Sequence, residues 1–182
     1  AQEAELQDML FYPKGYHAHF HYAEKKGYSG VGIYSLHPPK KIVTGLGWET
    51  ADTEGRYVEI DLGGISIASL YMPSGTSGDH RQTIKFDFLE RYASYLNNRR
   101  KKSGESIICG DWNIAHQAVD LKNWRANQKN SGFLPEERAW MDKLFGEMGF
   151  VDAFRVINQA PEQYTWWSNR GRAWETNVGW RI

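Results

Sequence analysis

Apolar and polar residues along this chain follow two periods, and the change from one to the other separates strand-like from helix-like stretches. Tyr16-His17-Ala18-His19-Phe20-His21-Tyr22 alternates aromatic and histidine side chains, and residues 30–36 form a second β-rich run after the turn Gly27-Tyr28-Ser29-Gly30. Residues 56–62 and 65–72 flank Gly63-Gly64, the strongest hairpin signal in the chain. Over residues 79–102 the period becomes helical. Ile84, Phe88, Tyr92 and Leu96 recur every four residues, Leu89 and Ala93 widen the stripe, and the basic residues 99–102 suit the negative end of the helix dipole. Ile107-Ile108-Cys109 then reads as a fully buried strand over residues 106–110, too short and too β-branched to favour a helix. A long polar loop, a helix over residues 135–148 and a β-like stretch at Tyr164-Thr165-Trp166-Trp167 follow. The pattern predicts a layered α/β architecture, with no repeat or linker to divide residues 1–182 into more than one domain.

Composition narrows the function without choosing it. The 182 residues carry 22 basic and 22 acidic side chains, so no global positive field announces a nucleic-acid partner. Aromatic residues at 14%, with eight Trp, predict large stacking surfaces or a Trp-rich core. The lone Cys109 excludes an internal disulfide framework and is expected to be a small buried hydrophobe in a reducing compartment. With no membrane-length apolar run and no secretory signal, a cytoplasmic protein is expected, nucleoid-associated in a bacterium. The helix-like opening Ala1-Gln2-Glu3-Ala4-Glu5-Leu6-Gln7 and the apolar close Val178-Gly179-Trp180-Arg181-Ile182 read as the ends of a fragment.

Several residues can carry chemistry. If the backbone stays extended past Gly110, Asp111 and Asn113 project to the same side, one able to accept a proton or face a metal, the other to donate and accept hydrogen bonds. An ordinary Asp-x-Asn turn is the alternative. Tyr71 ends the second hairpin strand before Pro73, at a sheet edge like that of Asp111. It is either a rim residue or a phenol acting at a phosphoryl group. Arg56 offers a guanidinium fork suited to phosphate oxygens, or a simple salt bridge. The loop from Asp120 to Phe133, with Asn123, Asn127 and Asn130 among its cations, suits either a nucleic-acid backbone or solvent. His17, His19 and His21 share a strand face, but no familiar metal spacing accompanies them. Trp166-Trp167, Trp174 and Trp180 lie near Ser168-Asn169-Arg170 and Arg172, a combination that fits a binding rim.

Six segments together resemble the exonuclease III family of apurinic/apyrimidinic (AP) endonucleases, within the endonuclease/exonuclease/phosphatase superfamily. They are Gly27-Tyr28-Ser29-Gly30-Val31-Gly32, Glu54-Gly55-Arg56, Leu70-Tyr71-Met72-Pro73-Ser74-Gly75, the run from Cys109 to His116, the run from Asn130 to Arg138, and Asn177-Val178-Gly179-Trp180-Arg181-Ile182. The resemblance runs from end to end of the chain, in order and at the family's spacing. It implies a four-layer α/β sandwich, two mixed β-sheets packed face to face and flanked by helices, incomplete in this chain.

The implied activity is hydrolysis of the phosphodiester 5′ to an abasic site in duplex DNA by a monomer, with 3′-5′ exonuclease and 3′-phosphodiesterase activity beside it. By resemblance, Asp111 would orient or deprotonate the attacking water, Asn113 would hold it or the phosphate, and Tyr71 would lie against the scissile phosphate. Tyr28, Arg56, Asn123, Asn127, Asn130 and Asn177 would contact DNA, while Trp166, Trp180 and Ile182 would wall a pocket for the flipped-out sugar. Mg²⁺ or Mn²⁺ is the implied cofactor. The family's metal-binding Glu would precede Ala1, and its later Asp and catalytic His would follow Ile182, so no metal ligand is expected within residues 1–182. A phosphodiesterase of the same superfamily acting on RNA or small molecules, or a DNA-binding module without catalysis, remains the alternative.

Overall fold

The computed structural model of the chain describes residues 3–6, 8–100 and 104–182. Positions 1, 2 and 7 of the expected opening segment, and 101 and 102 of the basic helix end, lie outside them. The described residues of the opening segment form a short 3₁₀ turn, Glu3–Leu6. The chain separates into two compact units, Ala1–Met72 with Lys102–Asp111, and Pro73–Lys101 with Trp112–Ile182.

The first unit is built on six strands, β1 His17–His21, β2 Val31–Ser35, β3 Lys41–Thr44, β4 Tyr57–Asp61, β5 Ile65–Tyr71 and β6 Glu105–Asp111. One helical turn, α1 Glu49–Asp52, lies between β3 and β4. Strands β1 and β2 pair as an antiparallel ribbon. The others form a mixed sheet ordered β3-β4-β5-β6, antiparallel up to β5 and parallel between β5 and β6. The Gly63-Gly64 hairpin closes with the Leu62 amide donating to the Ile65 carbonyl. Strand β2 packs against β4 and β5, so the two sheets face each other across the core. Central strand β4 is consequently buried from Tyr57 to Ile60. Glu59 is tolerated there because the Tyr57 hydroxyl donates to its carboxylate at 2.5 Å.

Strand β6 corrects one expectation. It forms as a strand, but it is not buried: Ile107 is 46% exposed, and Cys109 is exposed rather than a core hydrophobe. Among the described strands β6 pairs only with β5, so one edge and part of its surface stay open. Strand β3 has too little alternation to stand out in the sequence and was not expected.

The second unit contains α2 Asp79–Arg100, α3 Trp124–Asn127, α4 Pro135–Phe145, α5 Ala153–Ile157 and a two-residue ribbon of β7 Trp166–Trp167 with β8 Gly179–Trp180. The expected stripe on α2 is the buried one: Phe88, Leu89, Tyr92 and Leu96 are all enclosed. Burial on this scale contributes about 1.5–3 kcal/mol per large side chain. Trp140 on α4 fixes the crossing of the two helices, its indole N–H donating to the Leu89 carbonyl at 2.9 Å. Helix α4 starts on Pro135, which has no N–H to leave unsatisfied, and stops at Gly146, earlier than the anticipated residue 148. A separate small core joins Ala115, Leu121 and Phe133 to the partly buried Trp124, Trp180 and Ile182. No helix among the described residues is long and apolar enough to cross a membrane.

Candidate active site

Parallel pairing of β5 and β6 puts their C-terminal ends at one sheet edge, and there Tyr71 stands directly opposite Asp111. The Met72 amide donates to the Asp111 carbonyl at 2.8 Å, tying the two ends together. Gly110 makes this approach possible. It has φ +139°, and a Cβ there would lie 1.8 Å from the Leu70 carbonyl oxygen.

Arg56 corrects another expectation. Its side chain is only 2% exposed, so it is not an exposed phosphate grip. The guanidinium donates from Nε to Glu54 Oε2 at 2.6 Å and from Nη1 to the Tyr71 carbonyl at 2.8 Å. Its carbon lies 5.0 Å from the centre of the Tyr71 ring and 6.0 Å from that of Tyr28. The first unit therefore gathers Tyr28, Arg56, Tyr71 and Asp111, with a buried cation behind two phenol rings.

Asn113 lies two residues beyond Asp111, but the extended chain ends at Asp111 and Asn113 adopts φ +50°. The shared-face argument for the two side chains therefore does not apply. Asn113 is held within the second unit, where the Lys85 ammonium donates to its carbonyl at 2.8 Å. Gly132 sits between Asn113 and Trp180: with φ +94°, a Cβ there would lie 3.2 Å from the Asn113 carbonyl oxygen and 3.2 Å from the indole. Trp166 faces Trp180 across the β7–β8 ladder, and Ile182 hydrogen-bonds through its amide to the Thr165 hydroxyl at 3.1 Å. The three residues expected to wall the sugar pocket are thus neighbours, with Trp166 46% exposed and Trp180 and Ile182 seated on the small core.

The loop asparagines are linked to one another. Asn127 donates to the Asn123 carbonyl at 2.9 Å and Asn130 to Asn127 Oδ1 at 2.8 Å, which shapes the turn around α3. Asn123 and Asn130 remain exposed, as does Arg125, which lies over the Trp124 ring. Asn177 departs from its expected DNA contact. Its amide is engaged inside the fold, accepting from Trp167 Nε1 at 3.1 Å and donating to the Glu162 carbonyl at 3.1 Å, a brace for the ribbon.

Two charged groups escaped the sequence reading. Glu137, in the run from Asn130 to Arg138, is fully buried against Lys85. Asp120, 1% exposed, binds Arg155 at 2.6 Å and Arg181 at 2.8 Å. Burial by itself would raise the Asp120 carboxyl, but hydrogen bonds from Arg181, Arg155 and the Gln117 amide outweigh it and hold the carboxyl below its ordinary value. Glu137 accepts from the Leu134 amide three residues back, half of a capping box, but Leu134 has no side-chain acceptor for the other half, so the sequence carries no capping signal. Nothing local could have revealed Asp120, whose partners lie 35 and 61 residues away.

Among the described residues no three His, Cys, Asp or Glu side chains come together in a way that could hold a metal ion. His21 is engaged with the Tyr57 carbonyl at 2.9 Å. Asp111 is the carboxylate at this strand end, and alone it does not make a cation site.

The match to known proteins covers all of residues 1–182, with the family described as Endonuclease/Exonuclease/phosphatase family. The chain belongs to that family. It is 39% identical over its whole length to the exodeoxyribonuclease of Bacillus subtilis (strain 168), covering 72% of that protein. It is 37% identical to the DNA repair nuclease APEX1 of Danio rerio, spanning all of this chain and 58% of that protein. Among solved structures, an AP endonuclease from Archaeoglobus fulgidus superposes with a TM-score of 0.87 at 29% identity, over 100% of this chain and 70% of that one. This family member accordingly has an α/β fold and the lineage of a hydrolytic nuclease, a family of divalent-cation-dependent enzymes.

Proposed function

We propose that the protein is a DNA-repair nuclease that hydrolyses the phosphodiester 5′ to an abasic site in duplex DNA, with Mg²⁺ as its cation. The observation that carries this reading is the pairing of Tyr71 with Asp111 at the ends of parallel strands, over the buried Arg56. Phosphodiester hydrolysis needs an activated water, a positive environment for the non-bridging oxygens and assistance to the leaving 3′ oxygen. Asp111 takes the proton of the water, a role that typically contributes 10²–10⁴-fold. Tyr71 hydrogen-bonds the phosphate, its ring held in place by the Arg56 contacts, and Asn113 orients the water or the phosphate with its amide. The cation, when bound, neutralises developing charge on the phosphate.

Selection of an abasic nucleotide rests on Trp166, Trp180 and Ile182. An apolar wall accepts a sugar without a base, and flipping costs least where pairing is already lost. Asn123, Asn127, Asn130 and Arg125 are the proposed contacts to the DNA backbone, which need no base readout. The relatives named exodeoxyribonuclease, DNA repair nuclease and AP endonuclease support this substrate.

The test is product mapping with the full-length protein on a duplex holding one abasic analogue, beside intact RNA and a small phosphodiester. A Mg²⁺-dependent cut on the 5′ side, leaving a 3′-hydroxyl, is expected. Preference for RNA or for the small substrate would replace the reading with a general phosphodiesterase.

A further inference from the structure

Lys85 and Glu137 form an ion pair of 2.7 Å with neither side chain exposed to solvent. A pair so enclosed survives only if each charge is also hydrogen-bonded. Glu137 accepts from the Gly132 amide at 2.6 Å, the Leu134 amide at 3.1 Å and Gln82 Nε2 at 3.1 Å. Lys85 reaches past the carboxylate to the Asn113 carbonyl at 2.8 Å. The Asn113 backbone is in the left-handed region, which asparagine enters more readily than other non-glycine residues, so the Lys85 hydrogen bond to its carbonyl selects one of the conformations open to it. Gly132, bound to Glu137, packs against that same Asn113 carbonyl and against Trp180.

The geometry points to the Lys85–Glu137 pair as a positioning device for the site: Lys85 holds Asn113 in its left-handed conformation, and Glu137 fixes Gly132 beside it, so that the Asn113 amide is presented in one orientation. Neither charged group meets the substrate. The inference rests on the proposed function through the role given there to Asn113. A misplacement of about 1 Å in such a group costs about 10²-fold in rate.

The experiment is a double-mutant cycle in single-turnover incision of abasic duplex by the full-length protein, crossing Lys85→Met with Asn113→Ala. Lys85→Met is expected to lower kcat about 10²-fold with KM within about twofold, and to have no further effect in the Asn113→Ala background. Losses that multiply across the two backgrounds, or a folded Lys85→Met enzyme with wild-type kcat, overturn the proposal. If Lys85→Met does not fold, the double variant Lys85→Met/Glu137→Leu, which removes the donor without leaving an unpaired buried carboxyl, carries the same cycle by the same criteria. A substrate-independent readout separates this proposal from the proposed function. The side-chain amide NMR signals of Asn113 shift in the Lys85 variant if the pair positions it, and unchanged signals overturn the proposal. Absence of incision by the unmutated protein sinks the proposed function instead, and the Asn113 signals then decide the positioning role alone.

Discussion

Lys85–Glu137 and Asp120–Arg155–Arg181 bury charge in the same compact unit, but on different terms. The first is one cation and one anion with no exposure on either side, its remaining oxygens and protons spent on backbone groups of the Asn113 and Gly132 segments. The second sets one enclosed carboxylate between two arginines that are each 16% exposed, and Arg181 extends to the half-buried Asp152. Desolvation is nearly complete in the first, so its value lies in fixing geometry more than in net stability. In the second the arginines keep contact with water and lie over the face of Phe154, so the network acts as a surface clasp joining α5 to the segment after β8. The two therefore locate different parts of the candidate site, Asn113 in one case and the Trp180-Ile182 wall in the other.

Breaking the enclosed pair should have the largest effect. Lys85→Met leaves the buried Glu137 carboxyl without its cation, and a loss of about 3–5 kcal/mol in denaturant unfolding is expected. Asp120→Asn should cost less, about 2 kcal/mol, because the two freed arginines can still turn to water. A loss equal to that of Lys85→Met would erase the distinction.

Acid sharpens the comparison further. Asp120 has a folded-state carboxyl held below its ordinary value of 3.8, so its stabilisation is complete above that pH and is lost as the pH falls through the lower folded value. The free energy lost between neutral pH and acid, from denaturant unfolding followed by tryptophan fluorescence at each pH, should be larger in wild-type than in Asp120→Asn, the two stabilities converging below the folded value. Equal acid sensitivity would remove Asp120 from the account. The smallest effect is expected for Asp152→Asn, at most about 1 kcal/mol, since its contact with Arg181 is partly solvated.

Much of this is legible in the sequence. The four-residue stripe on α2 and the Gly63-Gly64 hairpin are local patterns, and both are present at their expected places. The motif residues Tyr71 and Asp111 were readable as the ends of two strands, because parallel strands deliver their last side chains to one edge. What could not be read was burial that depends on distant partners. Ile107-Ile108-Cys109 is apolar enough for a core, but hydrophobicity does not say what covers it. Arg56 carries the same guanidinium whether exposed or enclosed, and only the fold places it under Tyr71 and Tyr28. Nothing local marks Glu137 as buried, since its partner lies on α2, far back along the chain. Asn177 was expected to contact DNA, because the Trp167 and Glu162 contacts that engage its amide arise only from the fold of the ribbon.

The most direct test of the central claim is the single-turnover rate of incision at a defined abasic analogue, for the full-length protein and its Asp111→Asn variant, with Mg²⁺ saturating. The account predicts cleavage 5′ to the lesion by the unmutated protein and a loss of about 10²–10⁴-fold in the variant, without a matching loss of DNA binding. An Asp111→Asn enzyme that cuts at the original rate would contradict it.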